Sequence, residues 1–289
     1  VKLPYDIQAT FEGIYSKTLN NIAYKDVNLT APVGVVDPAF NNGADKRIAF
    51  ASSNNGRRTN PNITNAIWIG NTNEGYSYNL TAQLSKTWTN FYASVAYNYN
   101  DAKDLNSGTS STALSNWEFV QVVGDPNNPA LARSSHALKH RISSVLSYNI
   151  TYAKNFKSSI SFFYEGRSGR PLTYLVNGDL NSDGRTGNDL LYVPKNASEI
   201  TFVDFLNSNG SVRYTAADQA TAFQQFIDSD DYLSKRRGQY TERNGSDAPW
   251  EHVVDMRFAQ DFFIVAGGQR HALQLTFDVF NFTNLINND

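Results

Sequence analysis

Cysteine is absent from the 289 residues and methionine occurs once. That excludes a disulfide framework, a thiolate metal centre and a cysteine nucleophile together. Net charge is nearly absent too: 25 basic and 27 acidic side chains leave a formal −2, which gives no long-range field for drawing in nucleic acid or an anionic surface. No run approaches the roughly 18 consecutive apolar residues of a spanning helix, and no basic N-terminal segment leads into an apolar stretch as in a signal peptide. The length admits one large or two ordinary domains.

What is abundant is alternation. Hydrophobic residues make up 40% of the chain and aromatics alone 13%, and they recur with period two, which puts successive side chains on opposite faces of a strand. Tyr76, Tyr78, Leu80, Ala82 and Leu84 alternate with Ser77, Asn79, Thr81, Gln83 and Ser85. After Thr89-Asn90 the pattern resumes with Phe91, Ala93, Val95, Tyr97 and Tyr99, which is the signature of a hairpin with a tight turn. A second hairpin runs through Leu146, Tyr148, Ile150 and Tyr152, turns at Ala153-Lys154-Asn155 and returns through Phe156, Ile160, Phe162 and Tyr164. A third carries Val254, Met256, Phe258 and Phe262, turns at Ala266-Gly267-Gly268-Gln269 and returns through Leu273, Leu275, Phe277 and Val279. Near the start, Ile7, Ala9, Phe11 and Tyr15 alternate with Gln8, Thr10 and Glu12.

A soluble β-sandwich alternates as well, so the connections carry the distinction. Turns of two to five residues exchange with long segments at 18–64, 101–136 and 168–249. Compact domains rarely hold structureless links beyond about 15 residues, whereas outer-membrane barrels pair short periplasmic turns with long outer loops. Aromatic side chains near the strand ends, such as Trp88 with Phe91 and Tyr152 with Phe156, suit a membrane interface. The expectation is an all-β fold: an antiparallel up-and-down transmembrane β-barrel segment over residues 1–289, an incomplete barrel of about seven long strands, with long extracellular loops containing short helices.

The stretch from Tyr232 to Phe262, "YLSKRRGQYTERNGSDAPWEHVVDMRFAQDF", and that from Leu273 to Asn287, "LQLTFDVFNFTNLIN", resemble the last part of a TonB-dependent outer-membrane receptor barrel of the Oar-like type. The segments beginning at Lys2, "KLPYDIQATFEGIYSKTLNNIAYKDVNL", and at Ser168, "SGRPLTYLVNGDLNSDGRTGNDLLYVP", are similar to such receptors too; 31–64 matches least. The resemblance implies a barrel of about 22 strands around a plug, energised through TonB, in the outer membrane of a Gram-negative bacterium. Its partners are then outer-membrane lipid, its own plug domain, the TonB complex and a nutrient: a peptide, a glycan or a metal chelate. Plug, N-terminal TonB box, appended N-terminal β-sandwich and terminal aromatic strand are not found in the sequence, so the chain is expected to be the C-terminal part of a longer barrel protein. Two other readings stand beside this transporter wall, a soluble cell-surface β-fold that binds a ligand and a passive porin or adhesin barrel.

Enzymatic chemistry is not expected. Asp230-Asp231 is a carboxylate pair of the kind used in hydrolysis, but Thr215-Ala216-Ala217-Asp218 is a capping box and Phe223, Phe226, Ile227 and Leu233 follow at helical spacing, so these acids read as ends of a loop helix. Ser168-Gly169-Arg170-Pro171 lacks the flanks of a nucleophile elbow. His136 and His140 are four apart but lead into a strand, where four residues do not define a shared helical face. Asn-x-Ser/Thr triplets such as Asn79-Leu80-Thr81 fall within strands and read as wet-face composition.

Three groups remain as binding candidates. Asp179, Asn181, Asp183 and Asp189, with Gly184 at the sixth position, present oxygen at alternate positions as a calcium loop does, although Asp189 arrives one residue early for closure; the same residues also suit a polar Asx turn. Calcium is therefore the one cofactor expected. Asp255 and Arg257 share the polar parity of their strand, as do Gln274 and Asp278 on the next. An arginine facing lipid at mid-depth costs about 2–4 kcal/mol, so parity directs these toward a lumen, plug or substrate. Arg236, Arg237, Tyr240 and Arg243 form a basic, aromatic loop patch suited to an anionic glycan or to pairing with Asp230, Asp231 and Glu242.

Overall fold

The computed structural model describes residues 1–37 and 41–286; Asn287, the last residue of the Leu273 to Asn287 stretch, lies outside them. The chain is mostly antiparallel β-sheet, 45% strand and 12% helix. Seven long strands form the main sheet: β1 (Gln8–Lys17), β2 (Tyr76–Thr87), β3 (Phe91–Asp104), β4 (His140–Tyr152), β5 (Phe156–Arg167), β6 (Glu251–Ala266) and β7 (Gln269–Val279). Each pairs antiparallel with the next in sequence, and β1 and β7 are the two edges of a sheet that does not close on itself.

An antiparallel meander sends alternate connections to opposite ends. Residues 88–90, 153–155 and 267–268 make the short turns at one end; 18–75, 105–139 and 168–250 leave from the other. The first long connection was expected to end at 64. It extends to 75 because Asn21–Asp26 pairs with Ile67–Thr72, prolonging the β1–β2 hairpin as a ribbon beyond the sheet. The second was expected at 101–136; β3 keeps pairing with β2 as far as Lys103, and Asp104 pairs with Ala132, so the loop proper starts at 105.

The short turns differ in their chemistry. Gly267 and Gly268 hold φ of 60° and 79°, which glycine reaches without strain, whereas Ala153 and Lys154 hold 47° and 60° with side chains attached.

The long connections contain short ribbons and helices α1 (Ala113–Glu118) and α2 (Ala216–Ser229); α3 (Phe282–Ile286) follows β7. The capping box read from the sequence starts α2: Thr215 Oγ1 accepts from the Asp218 amide at 3.1 Å, and Asp218 Oδ2 accepts from the Thr215 amide at 3.4 Å. Phe223 and Ile227 then point at the same helical spacing into a cluster with Val193 and Leu233.

Candidate functional site

The register shows where the alternating residues go. Phe91, Tyr148, Ile160, Phe258 and Phe277 stand side by side across five strands on one face. One residue along, Tyr92, Ser147, Ser161, Arg257 and Asp278 form the parallel row on the other. The first face is mainly apolar from β1 to β7, broken by Ser144, Ser158 and Gln260 within the sheet and by Lys17, Lys86, Asp101 and Lys103 toward its ends. The second face is mostly polar, with Ile14, Tyr92, Val145, Phe163, Val253, Phe263 and Val265 among the larger apolar side chains that interrupt it.

The apolar face is uncovered. Phe11 is 73% exposed, Leu80 51%, Leu146 44% and Phe277 63%. Twelve hydrophobic side chains are buried among the described residues, and only Ala9 and Ala259 of them belong to the seven strands; the larger ones, including Phe50, Trp117, Leu190, Val193, Ile227 and Leu233, all lie in the long connections. A soluble sheet buries one face against a core. Here the core sits beyond the sheet's end.

Aromatic rings band this face at both ends. Toward the long loops, Tyr97 Oη meets His140 Nδ1 at 2.7 Å, Tyr164 Oη meets His252 Nδ1 at 2.9 Å, and Trp250 stacks between the two histidines. Toward the short turns, Trp88 packs on Phe91, and Phe156 lies between Tyr152 and Phe262.

The long connections knit into one mass through buried polar contacts. The Asp26 amide donates to Asn127 Oδ1 at 2.7 Å, and Asn127 Nδ2 donates back to the Asp26 carbonyl at 2.9 Å. Arg47 is fully buried between two carboxylates, 2.8 Å from Asp45 Oδ2 and 3.2 Å from Asp189 Oδ1, and donates to the Leu190 carbonyl at 2.7 Å. Arg185 lies over Trp117 and pairs with Glu118 at 2.9 Å.

Loop 179–189 is folded by its own side chains. Asp179 Oδ2 accepts from the Gly184 amide at 2.9 Å, Asn181 Oδ1 from the Asp183 amide at 3.0 Å, and Asp183 Oδ1 from the Arg185 amide at 2.7 Å. Gly184 takes the left-handed conformation, φ 88°. Asp189 curls back so that Oδ2 accepts from the Leu180 amide at 2.8 Å, while its other oxygen goes to Arg47. The loop is anchored to its neighbours by Asn181, whose carbonyl accepts from the Phe50 amide at 2.8 Å and whose Nδ2 donates to the Gly124 carbonyl at 2.5 Å. Burial pushes the Asp183 carboxyl up to about 6, aided by the nearby Asp179 and Asp189 charges, and burial also raises Asp189. Among the described residues, no three His, Asp or Glu side chains gather as a metal-binding group.

On the polar face, Arg257 and Asp278 join directly, Nε to Oδ1 at 2.5 Å. Gln274 instead donates to Asp261 at 2.6 Å, and Asp255 accepts from the Asn281 amide at 2.8 Å.

The loop arginines do not share one patch. Arg236 pairs with Glu242 at 2.8 Å and Arg237 with Asp228 at 2.7 Å. Arg243 is buried and pairs with Asp104 at 2.8 Å, which ties the third long connection to the end of β3. Tyr240 donates to Asp45 at 2.8 Å under the Arg47 guanidinium. Burial, then that hydrogen bond, pushes its hydroxyl up to about 12. A recess of about 540 Å³ opens between these loops and the sheet rim, lined in part by Lys103, Arg133, Lys139, Glu242 and Asp247.

The sequence reading did not include Arg47, Asp45 or Asn188 in any site. Arg47 and Asp189 are 142 positions apart, and no local spacing announces such a pair. No helix among the described residues is long and apolar enough to cross a membrane, which says nothing of crossing by strands. No family model, no curated protein and no solved structure matches the chain.

Proposed function

We propose that this chain is wall from an outer-membrane β-barrel, in a transporter that takes up a nutrient with energy delivered through TonB. The observation that carries the membrane reading is the uncovered apolar face, whose strands contribute only two alanines to the buried hydrophobic set. Leaving that much apolar surface in water costs roughly 25 cal/mol per Å², and a contiguous patch of this extent marks an interaction surface. Lipid is the partner that fits, because the face is bounded by aromatic belts and backed by a wet face.

Dimensions agree. The strands run from 10 to 16 residues, where about 9–11 tilted residues span a bilayer. Between His140 and Tyr152 β4 advances about 40 Å at 3.3 Å per residue, or about 28 Å along the normal at a tilt near 45°, close to the roughly 25 Å apolar band of such barrels.

The TonB-dependent assignment rests on the resemblance of Tyr232–Phe262 and of the segment from Leu273, supported by the alternation of short turns with a large, ordered loop mass. Peptide, glycan and metal chelate all suit a polar interior. Fractionation of cells expressing the native protein tests the reading: recovery in outer membranes, released by detergent, is expected, and recovery in plain buffer would favour a soluble binding module. Sequencing the surrounding gene separates an energised transporter, which needs plug and TonB box, from a passive pore.

A further inference from the structure

Five buried side-chain atoms lack a hydrogen-bond partner among the described residues, and they sort by chemistry. Three are Nε atoms of arginines that are ion-paired through their other nitrogens, Arg133, Arg185 and Arg243. The other two are oxygens, Asp179 Oδ1 and Asn188 Oδ1, and both lie in one loop of eleven residues. Asn188 is wholly buried; its Nδ2 donates to Asp183 Oδ2 at 2.8 Å, so the orphaned amide oxygen belongs to a side chain that already touches that carboxylate.

Asp183 sharpens the question. It is buried, and no cationic side chain among the described residues pairs with it, whereas Arg47 satisfies Asp189 and Arg57 stands 3.9 Å from Asp179. A buried carboxylate without a counter-charge and a buried amide oxygen without a donor both cost free energy unless something positive reaches them. The donors are exclusively hard oxygens, with no imidazole or thiolate, which suits calcium and not zinc.

We propose that residues 179–188 hold one calcium ion, with Asp179, Asn181, Asp183 and the Asn188 side-chain oxygen as ligands, and that Asn188, not Asp189, closes the site. The sequence places Asp189 as the closing carboxylate, one residue short of a twelfth-position ligand. The fold gives that residue other work, holding the Leu180 amide and Arg47, and leaves Asn188 at position ten with a free oxygen. Two carboxylates and two amide oxygens leave room for peptide carbonyls or water, which calcium accepts with six to eight oxygens. Because the Asn181 carbonyl and amide also hold Phe50 and Gly124 of the two neighbouring loops, the ion stiffens the whole outer mass.

Calorimetric titration of the purified full chain in detergent with calcium chloride is the test, with magnesium chloride as comparison. One equivalent of calcium is expected at a Kd of roughly 0.1–1 mM, in the range of extracellular calcium modules, with magnesium weaker. Asn188→Ala and Asp183→Asn should each weaken binding about tenfold or more. Asn188→Asp keeps an oxygen but gives up the Nδ2 bond to Asp183; it should still bind calcium where Asn188→Ala does not, and this separates a lost ligand from a damaged fold. No calcium heat from the wild-type chain up to about 10 mM overturns the site. Binding that survives Asn188→Ala but vanishes in a folded Asp189→Asn variant overturns the assignment of the closing ligand.

Discussion

Arg257 and Asp278 face each other across β6 and β7 with two contacts, Nε to Oδ1 at 2.5 Å and Nη2 to Oδ2 at 3.1 Å. One residue along, Phe258 and Phe277 form the next cross-strand pair and project from the opposite face, 41% and 63% exposed. An ion pair and an aromatic pair thus stand back to back on the same two strands. At this level of the sheet charge lies on one side and exposed aromatic hydrocarbon on the other, and the consequences can be measured.

Neighbouring residues should respond oppositely to the same charge. Leu146 lies near the middle of β4 on the apolar face, and Ser147 on the polar face beside Ser161. Leu146→Arg is expected to cost about 2–4 kcal/mol for an arginine at bilayer mid-depth, while Ser147→Arg costs little. Urea unfolding in lipid vesicles reads the difference; equal losses from the two variants contradict a lipid-facing row.

Arg47 is the hub between the first and third long connections. With its side chain wholly buried between Asp45 and Asp189, Arg47→Met leaves two buried carboxylates facing each other and should lower stability by about 3–5 kcal/mol. Hydrogen exchange should locate that loss at 44–50 and 179–190 and leave β2–β5 protected. Arg236→Ala, whose partner Glu242 is 60% exposed, should cost no more than about 1 kcal/mol.

Alkaline pH should loosen α2. Tyr174 donates to Asp230 at the helix C-terminus, and that hydrogen bond, with burial second, pushes its hydroxyl up to about 12. The folded value lies above the ordinary 10, so this contribution is complete below pH 10 and fades as pH climbs from 10 to 12. Burial pulls the Asp230 carboxyl upward, but its hydrogen bonds from Tyr174 and the Leu233 and Tyr232 amides outweigh that and hold it low. Its contribution is therefore lost on the acid side. Tyr174→Phe should flatten the decline of stability between pH 10 and 12; an unchanged slope assigns the decline elsewhere.

The β4–β5 turn stores strain that substitution can release. Ala153 and Lys154 both adopt the left-handed conformation, at roughly 1–2 kcal/mol per residue for a side chain with Cβ. Lys154→Gly is expected to stabilise by up to about 1 kcal/mol and Gly267→Ala in the third hairpin to destabilise by a similar amount, both read from urea midpoints.

The strands were readable because their signal is local. Tyr78, Leu80 and Ala82 alternate with Asn79 and Thr81 whatever the rest of the chain does, and Thr215 with Asp218 forms a cap within one helical turn. The calcium-like spacing of Asp179, Asn181 and Asp183 was readable for the same reason. What the spacing did not contain was Arg47, arriving from 142 positions away to take the Asp189 carboxylate, or the orphaned oxygen of Asn188, which is defined by burial. The ribbon at Asn21–Asp26 was missed because its partner, Ile67–Thr72, lies across a long insertion. The arginine patch dissolves into separate pairs because each guanidinium finds its acid in a different segment: Asp104, Asp228 and Glu242.

The absence of cysteine makes the most direct measurement clean, since any introduced thiol is the only one. Single cysteines at Leu80, Tyr148 and Phe277 on one face, and at Thr81, Ser147 and Thr276 on the other, are to be spin-labelled in the native protein in lipid bilayers and tested against oxygen and a water-soluble nickel chelate. Collisions with oxygen and shielding from nickel are expected at the first three, with the reverse at the second three. Nickel access at Leu80, Tyr148 and Phe277, or shielding of these three from both reagents, would contradict a wall that turns its hydrocarbon to lipid.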